Sequence, residues 1–311
     1  MTLPPWHDTI RQGLRQRLAQ GELPHAILLA GAAGLGKREL ATHLARAALC
    51  QDLSDGEPCG RCRACRLFTA RTHPDLHLLH LELNTQGNLR QDIVVAQVRE
   101  MSRQLSMTSQ LGGRQIAIVD PADRLNRAAA NALLKTLEEP ARDTIMVLVA
   151  DEAWRLPATV RSRCQIFTVH QPPRTEALAW LRQREVDDAE VALDAAGGNP
   201  GLALAWQRES LLPLVGEVES NLRQLAAGKL APLDVCSRWA DEHAAQRLWF
   251  ASRLVADELK LRARGSADAS FSALDELALL NWYRDATQAR EDLRSTLRPA
   301  LILFPLLAQW H

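Results

Sequence analysis

Two short stretches of this 311-residue sequence carry side chains at spacings that could do chemistry. The first is Gly31-Ala32-Ala33-Gly34-Leu35-Gly36-Lys37, which follows an apolar run at 25–30 and opens a segment rich in Ala, Leu and Arg. Glycines at a strand-to-helix turn let backbone N–H groups curl around phosphate oxygens, and the helix N-terminus and the lysine add positive potential. Gly31, Gly34, Gly36 and Lys37 are thus the expected nucleotide-side residues of a P-loop. A glycine-rich turn with no ligand is the competing reading; the seven matched positions in a strand-then-helix setting favour the P-loop fold.

Binding and hydrolysis are separate questions. After the lysine, a hydrolysing P-loop needs Ser or Thr, whose hydroxyl ligates Mg²⁺. Here that position is Arg38, which cannot. The second metal-side motif, an apolar strand ending in an acidic pair, is half present: Gln115-Ile116-Ala117-Ile118-Val119 leads to Asp120, but Pro121 stands where a water-activating Glu belongs. Proline offers neither an acceptor nor a proton path. No intrinsic ATP hydrolysis is expected. Nucleotide binding is left open, because Lys37 and the loop amides survive.

The second stretch is Cys50, Cys59, Cys62 and Cys65, with spacing C-x8-C-x2-C-x2-C. Four thiolates suit a closed tetrahedral Zn²⁺ site, and short C-x2-C steps let one turn supply two ligands. With no open position for water, such a site is structural. Arg61, Arg63 and Arg66 would offset part of its negative charge. Two reduced thiol pairs, or a redox pair, are the alternative. Cys164 and Cys236 stand apart and read as ordinary buried thiols.

The elements that must position these residues follow from periodicity. Apolar runs at 25–30, 75–83, 115–119, 144–150 and 165–169 read as strands, with helical patterns at 37–49, 91–106 and 126–138 between them. Such alternation indicates a largely parallel sheet covered by helices on both faces. After Gln171-Pro172-Pro173 no strand follows. A helical stretch at 174–207 is broken at Gly197-Gly198-Asn199-Pro200-Gly201, and the rest is helical, with Leu248, Val255, Leu259 and Arg262 on one face. Three units are expected: α/β at 1–170, a small helical lid at 171–208, and a helical domain at 209–311.

Composition sets outer bounds. Hydrophobic residues make up 47% and charged residues 24%, enough for a buried core. Lys+Arg and Asp+Glu both total 37, so there is no basic surplus of the kind that lets a protein grip nucleic acid alone. The opening Met-Thr-Leu-Pro-Pro-Trp-His-Asp has no signal-peptide character, and no apolar run reaches membrane-spanning length, so a cytoplasmic protein is expected.

Further blocks carry a family resemblance: Leu23-Pro24-His25-Ala26, Thr72-His73-Pro74-Asp75, the run from Asn131 to Pro140 reading Asn-Ala-Leu-Leu-Lys-Thr-Leu-Glu-Glu-Pro, and Arg161-Ser162-Arg163-Cys164. With the P-loop and the cysteines, the chain resembles the delta-prime subunits of bacterial DNA polymerase III clamp loaders, in the AAA+ superfamily, over about residues 20–170. By itself the Asn131 block is an amphipathic helix with Leu133, Leu134 and Leu137 inward, stopped by Pro140.

The resemblance implies an AAA+ RecA-like domain with a zinc module, a lid, and an all-α collar that joins a pentameric ring with gamma/tau ATPase subunits and a delta subunit. Primed DNA and the sliding clamp would be met through that complex. The arginine of Ser-Arg-Cys, here Arg163, would serve as an arginine finger in a neighbour's ATP site; a surface arginine with a local carboxylate partner is the plainer alternative. The lid arginine that ATP-hydrolysing relatives carry in a Gly-x-x-Arg setting is missing, the local sequence being Gly198-Asn199-Pro200-Gly201.

The leading expectation is a non-hydrolysing, stator-like clamp-loader subunit. An ATP-hydrolysing subunit of the gamma/tau type is the alternative, opposed by Arg38, Pro121 and Gly201. The ending at His311 is likewise expected to leave no room for the long tail of some relatives. A zinc-dependent nucleic-acid module is a third and weaker reading, given the zero net charge.

Overall fold

A computed structural model of the chain describes residues 3–84, 86–265, 274–294 and 297–310. The chain divides into two compact units, Met1–Glu176 and Ala177–His311.

The first unit is built on five strands: β1 (Ala26–Ala30), β2 (Leu76–Leu79), β3 (Gln115–Val119), β4 (Thr144–Ala150) and β5 (Gln165–Thr168). All pair in parallel in the order β2-β3-β4-β1-β5, with Ile27 opposite Val147 on one side and Leu28 opposite Ile166 on the other. β1, β3 and β4 are buried along their whole lengths. That is the signature of a parallel sheet covered on both faces, and it explains why these strands read as continuous apolar runs.

Alternate residues of β1 feed two cores. Ile27 and Leu29 pack with Leu14 and Leu18 of α1 (Asp8–Gln20) and Leu40 and Leu44 of α2 (Lys37–Ala48). On the other face Leu28 packs in one core with Val98 and Met101 of α4 (Val95–Leu105) and Leu133 and Leu137 of α5 (Arg127–Glu138). The short helix α3 (Arg63–Thr69) follows the cysteines, and α6 (Ala158–Arg161) leads into β5. Asn126 starts α5 by accepting from the Ala129 amide at 2.8 Å, a side-chain cap for an otherwise orphaned donor.

Several boundaries differ from the sequence reading, and α4 starts at Val95 rather than at 91. β2 runs over Leu76–Leu79 rather than 75–83, because β3, the strand it pairs with, ends at Val119 opposite Leu79. The stretch 174–207 has two breaks, giving α7 (Arg174–Arg182), α8 (Ala189–Ala195) and α9 (Pro200–Arg208). The unforeseen break carries Glu185 and Asp188 at φ 55° and 42°, left-handed conformations that end a helix. At the foreseen break, Asn199 caps α9 by accepting from Gly201 and Leu202 amides at 3.1 and 3.2 Å.

The remaining helices are α10 (Pro213–Ala226), α11 (Pro232–Trp239), α12 (Ala244–Ala263), α13 (Glu276–Asp292) and α14 (Pro299–Leu307). Trp206 of α9 packs edge-on against Phe250 of α12 at 4.8 Å between ring centres. Trp282 of α13 is fully buried and donates from Nε1 to the Leu306 carbonyl at 2.9 Å. The inward line of α12 runs Leu248, Ala251, Val255 and Glu258. Glu258, paired with Arg262, takes the buried place expected for Leu259. No helix among the described residues is long and apolar enough to cross a membrane.

Candidate functional site

The phosphate loop leaves β1 at Gly31, whose φ of 146° excludes a side chain; a Cβ there would lie 2.3 Å from the Val169 carbonyl oxygen. Gly36, at φ 81°, is the left-handed residue from which α2 starts, and no side chain caps that end. Its Cα faces the ring of His7, so a Cβ would meet His7 Cε1 at 2.8 Å. His7 is fully buried and lies with Nε2 2.6 Å from the Leu35 carbonyl, to which Trp6 Nε1 also donates at 3.0 Å. The N-terminal residues therefore brace the back of the loop.

Lys37 and Arg38 point to different carboxylates. Lys37, buried at 3% exposure, donates from Nζ to the carbonyls of Gly31 and Ala32 at 2.8 and 2.7 Å and pairs with Asp151 at 2.6 Å. The lysine closes the loop onto itself. Arg38 Nε lies 2.5 Å from Oδ2 of Asp120. The residue standing in for the Mg²⁺-ligating hydroxyl thus occupies the carboxylate at the end of the second motif's strand. Burial pushes the Asp120 carboxyl up, against the pull of Arg38. Asp151 was missed by sequence reading. Its signal was available, since ligands of parallel α/β sheets collect at the carboxyl ends of strands and Asp151 directly follows β4.

Cys50, Cys59, Cys62 and Cys65 converge, their Sγ atoms all within 4.8 Å of one another, with Cys50 and Cys62 at 3.9 Å. Four thiolates about a Zn²⁺ at about 2.3 Å would stand about 3.8 Å apart, so the cluster fits a tetrahedral ion with little closing-in. Backbone amides already point at the sulfurs: Cys59 N to Cys50 Sγ and Cys62 N to Cys59 Sγ at 3.3 Å, and Cys65 N to Cys62 Sγ at 3.4 Å. Burial pushes the Cys50 and Cys65 thiols up, Cys65 to about 12. At Cys62 burial is outweighed by the Cys65 and Gln51 amides, and the thiol falls to about 6. Four sulfurs so disposed could hold a metal ion, whose binding would deprotonate the thiols. Of the neighbouring arginines, Arg61 pairs with Asp52 at 3.1 Å. Cys164 is half-buried and Cys236 buried; burial raises both thiols, Cys164 to about 11.

Arg163 follows α6 at the surface, its side chain 35% exposed. Nη1 donates to the Thr159 carbonyl at 2.8 Å and Nη2 lies 2.5 Å from Glu138 Oε1. The structure thereby joins two blocks that the sequence shows apart, the end of α5 and the Arg161–Cys164 turn. Sequence reading anticipated a local carboxylate only in general terms; its position depends on α5 and α6 packing together.

A five-stranded parallel α/β unit with a phosphate-type loop, a Cys₄ cluster and an appended helical unit defines a P-loop protein with a candidate metal site. A sequence profile of the family described as "DNA polymerase III, delta subunit" matches residues 6–173. The DNA polymerase III subunit delta' of Pseudomonas aeruginosa is 35% identical over 76% of this chain and 70% of its own length, and that of Escherichia coli is 37% identical over 85% and 79%. The chain belongs to the delta-prime family of DNA polymerase III subunits. Among solved structures, a DNA polymerase III gamma subunit-related protein from Thermotoga maritima aligns over 96% of this chain and 97% of its own, with 15% identity and a TM-score of 0.44.

Proposed function

We propose that the chain is a non-hydrolysing, stator-like subunit of the bacterial sliding-clamp loader that supplies Arg163 in trans to a neighbouring ATPase subunit. The observation that carries this reading is the Arg38–Asp120 pair at 2.5 Å. A hydrolysing site needs a hydroxyl and a carboxylate to share one Mg²⁺; here a guanidinium replaces the hydroxyl and takes the carboxylate. Pro121 removes the water-activating group as well. Lys37 also bonds the carbonyls of Gly31 and Ala32 and the carboxylate of Asp151, protein partners that a phosphate would have to displace.

In this reading the P-loop unit, residues 1–170, abuts an ATPase neighbour, the helices at 171–208 form a lid, and those at 209–311 form the collar of a pentameric ring with gamma/tau and delta subunits. Primed DNA and the sliding clamp are handled by the whole assembly in the cytoplasm during replication. Cys50, Cys59, Cys62 and Cys65 hold a structural Zn²⁺ that stiffens the turn between α2 and α3.

Two measurements test the reading together. The isolated chain should turn over no ATP. In a reconstituted complex, Arg163→Ala should cut DNA-stimulated ATP turnover by about a thousandfold at the site it serves, the scale of arginine fingers, while the variant chain melts as the parent does. Unchanged turnover in the complex, or ordinary turnover by the chain alone, would overturn it.

A further inference from the structure

The two groups that hold Arg163 differ in kind. Thr159 offers a neutral carbonyl from within α6, and Glu138 offers a carboxylate from the last residue of α5. A carbonyl directs a guanidinium and leaves it its charge, whereas a carboxylate neutralises it. A finger works by meeting negative charge that develops on phosphoryl oxygens. An arginine still paired with Glu138 brings no net charge to that task.

We propose that Glu138 is a positioning residue that keeps Arg163 turned against α5 in the unengaged subunit and yields it when a phosphate competes. The Thr159 carbonyl then sets the direction in which the guanidinium extends. The inference rests on the reading of Arg163 given above.

Exposure fits this role. The Arg163 and Glu138 side chains are 35% and 49% exposed, so the pair is open to an incoming group and is screened by water. Surface pairs of this kind shift an equilibrium by about fivefold at most, enough to orient a long side chain and too little to withhold it from a phosphate. Arg163 has five N–H donors, and these two partners leave others for the competitor. The arrangement also couples the Asn131–Pro140 block to the Arg161–Cys164 turn, since any shift in the end of α5 changes how firmly the finger is held.

The test uses the reconstituted complex with primed DNA and sliding clamp. Glu138→Gln keeps the shape and removes the charge. It should raise DNA-stimulated ATP turnover by up to about fivefold, the most a surface ion pair returns, and the gain should shrink as added salt screens the parent's pair. Damage to packing would lower turnover instead. Glu138→Ala should act in the same direction, and thermal melting of each isolated variant verifies that it folds. In the Arg163→Ala background, Glu138→Gln should change nothing.

Turnover unchanged or lowered by Glu138→Gln, alongside a loss in Arg163→Ala, would overturn the role of Glu138 and leave the finger standing. A gain that persists without Arg163 would overturn it too. Turnover unaffected by Arg163→Ala would instead sink the finger itself, whatever Glu138 does.

Discussion

Arg38 and Asp120 stand 2.5 Å apart, Nε to Oδ2, at the carboxyl edge of the sheet. One follows the phosphate-loop lysine and the other directly follows β3, so the two are far apart in the chain and meet only because β1 and β3 both flank β4. The pair joins two departures from a hydrolysing site into one arrangement: the cation supplied by the protein sits at the carboxylate where a metal would be held.

Arg38→Ser restores the missing hydroxyl and frees Asp120. It should still leave ATP turnover at background, because Pro121 supplies no base. An assay of released phosphate checks this, and turnover above background would show that the arginine alone was the block. The cost in stability should stay below about 1 kcal/mol, since Arg38 is 64% exposed and its pair is screened by water.

Gly31→Ala should destabilise the first unit by at least about 1–3 kcal/mol, the cost of one residue forced into strained backbone. The added Cβ would meet the Val169 oxygen at 2.3 Å and the residue would keep φ near 146°. Urea unfolding curves provide the measurement, and a melting profile identical to the parent's would show that the loop can re-form around a side chain.

Metal analysis of reduced, purified chain should find about one zinc per molecule. Cys62→Ser should lower that content and the melting temperature together, because loss of one of four ligands opens a closed site. Zinc at the parent's level in the variant would remove Cys62 from the ligand set.

Stability should fall on acidification from pH 7.5 to 5.5. Burial lowers the values of His7, His43 and His73 below 6.5. In that window the unfolded histidines take up protons that the folded ones resist, so their contribution is present above about pH 6.5 and is lost as pH falls through the folded values. His7→Gln should flatten part of this slope in melting curves recorded across the range. An unaltered slope would exclude His7.

Much of this molecule is legible in one dimension. β1, β3 and β4 are buried on both faces and must be apolar throughout, so they appear as runs. The glycines of the loop appear because only glycine tolerates φ 146° beside Val169. Cys59, Cys62 and Cys65 stand out because one turn brings ligands together when they are three residues apart, and Cys50 joins them from nine residues before. By contrast β2, an edge strand, was read too long, and the unforeseen break in the 174–207 stretch rests on left-handed backbone at Glu185 and Asp188 that no glycine marks.

What only the tertiary structure decided is which charge meets which. Sequence alone determined that Lys37, Arg38 and Arg163 are present, that Asp120 follows a strand, and that Arg38 and Pro121 stand after Lys37 and Asp120. It could not say that Lys37 turns to Asp151, Arg38 to Asp120 and Arg163 to Glu138. Those pairings depend on strand order and helix packing, which bring residues from different segments together, and a charged side chain chooses its partner by distance in space.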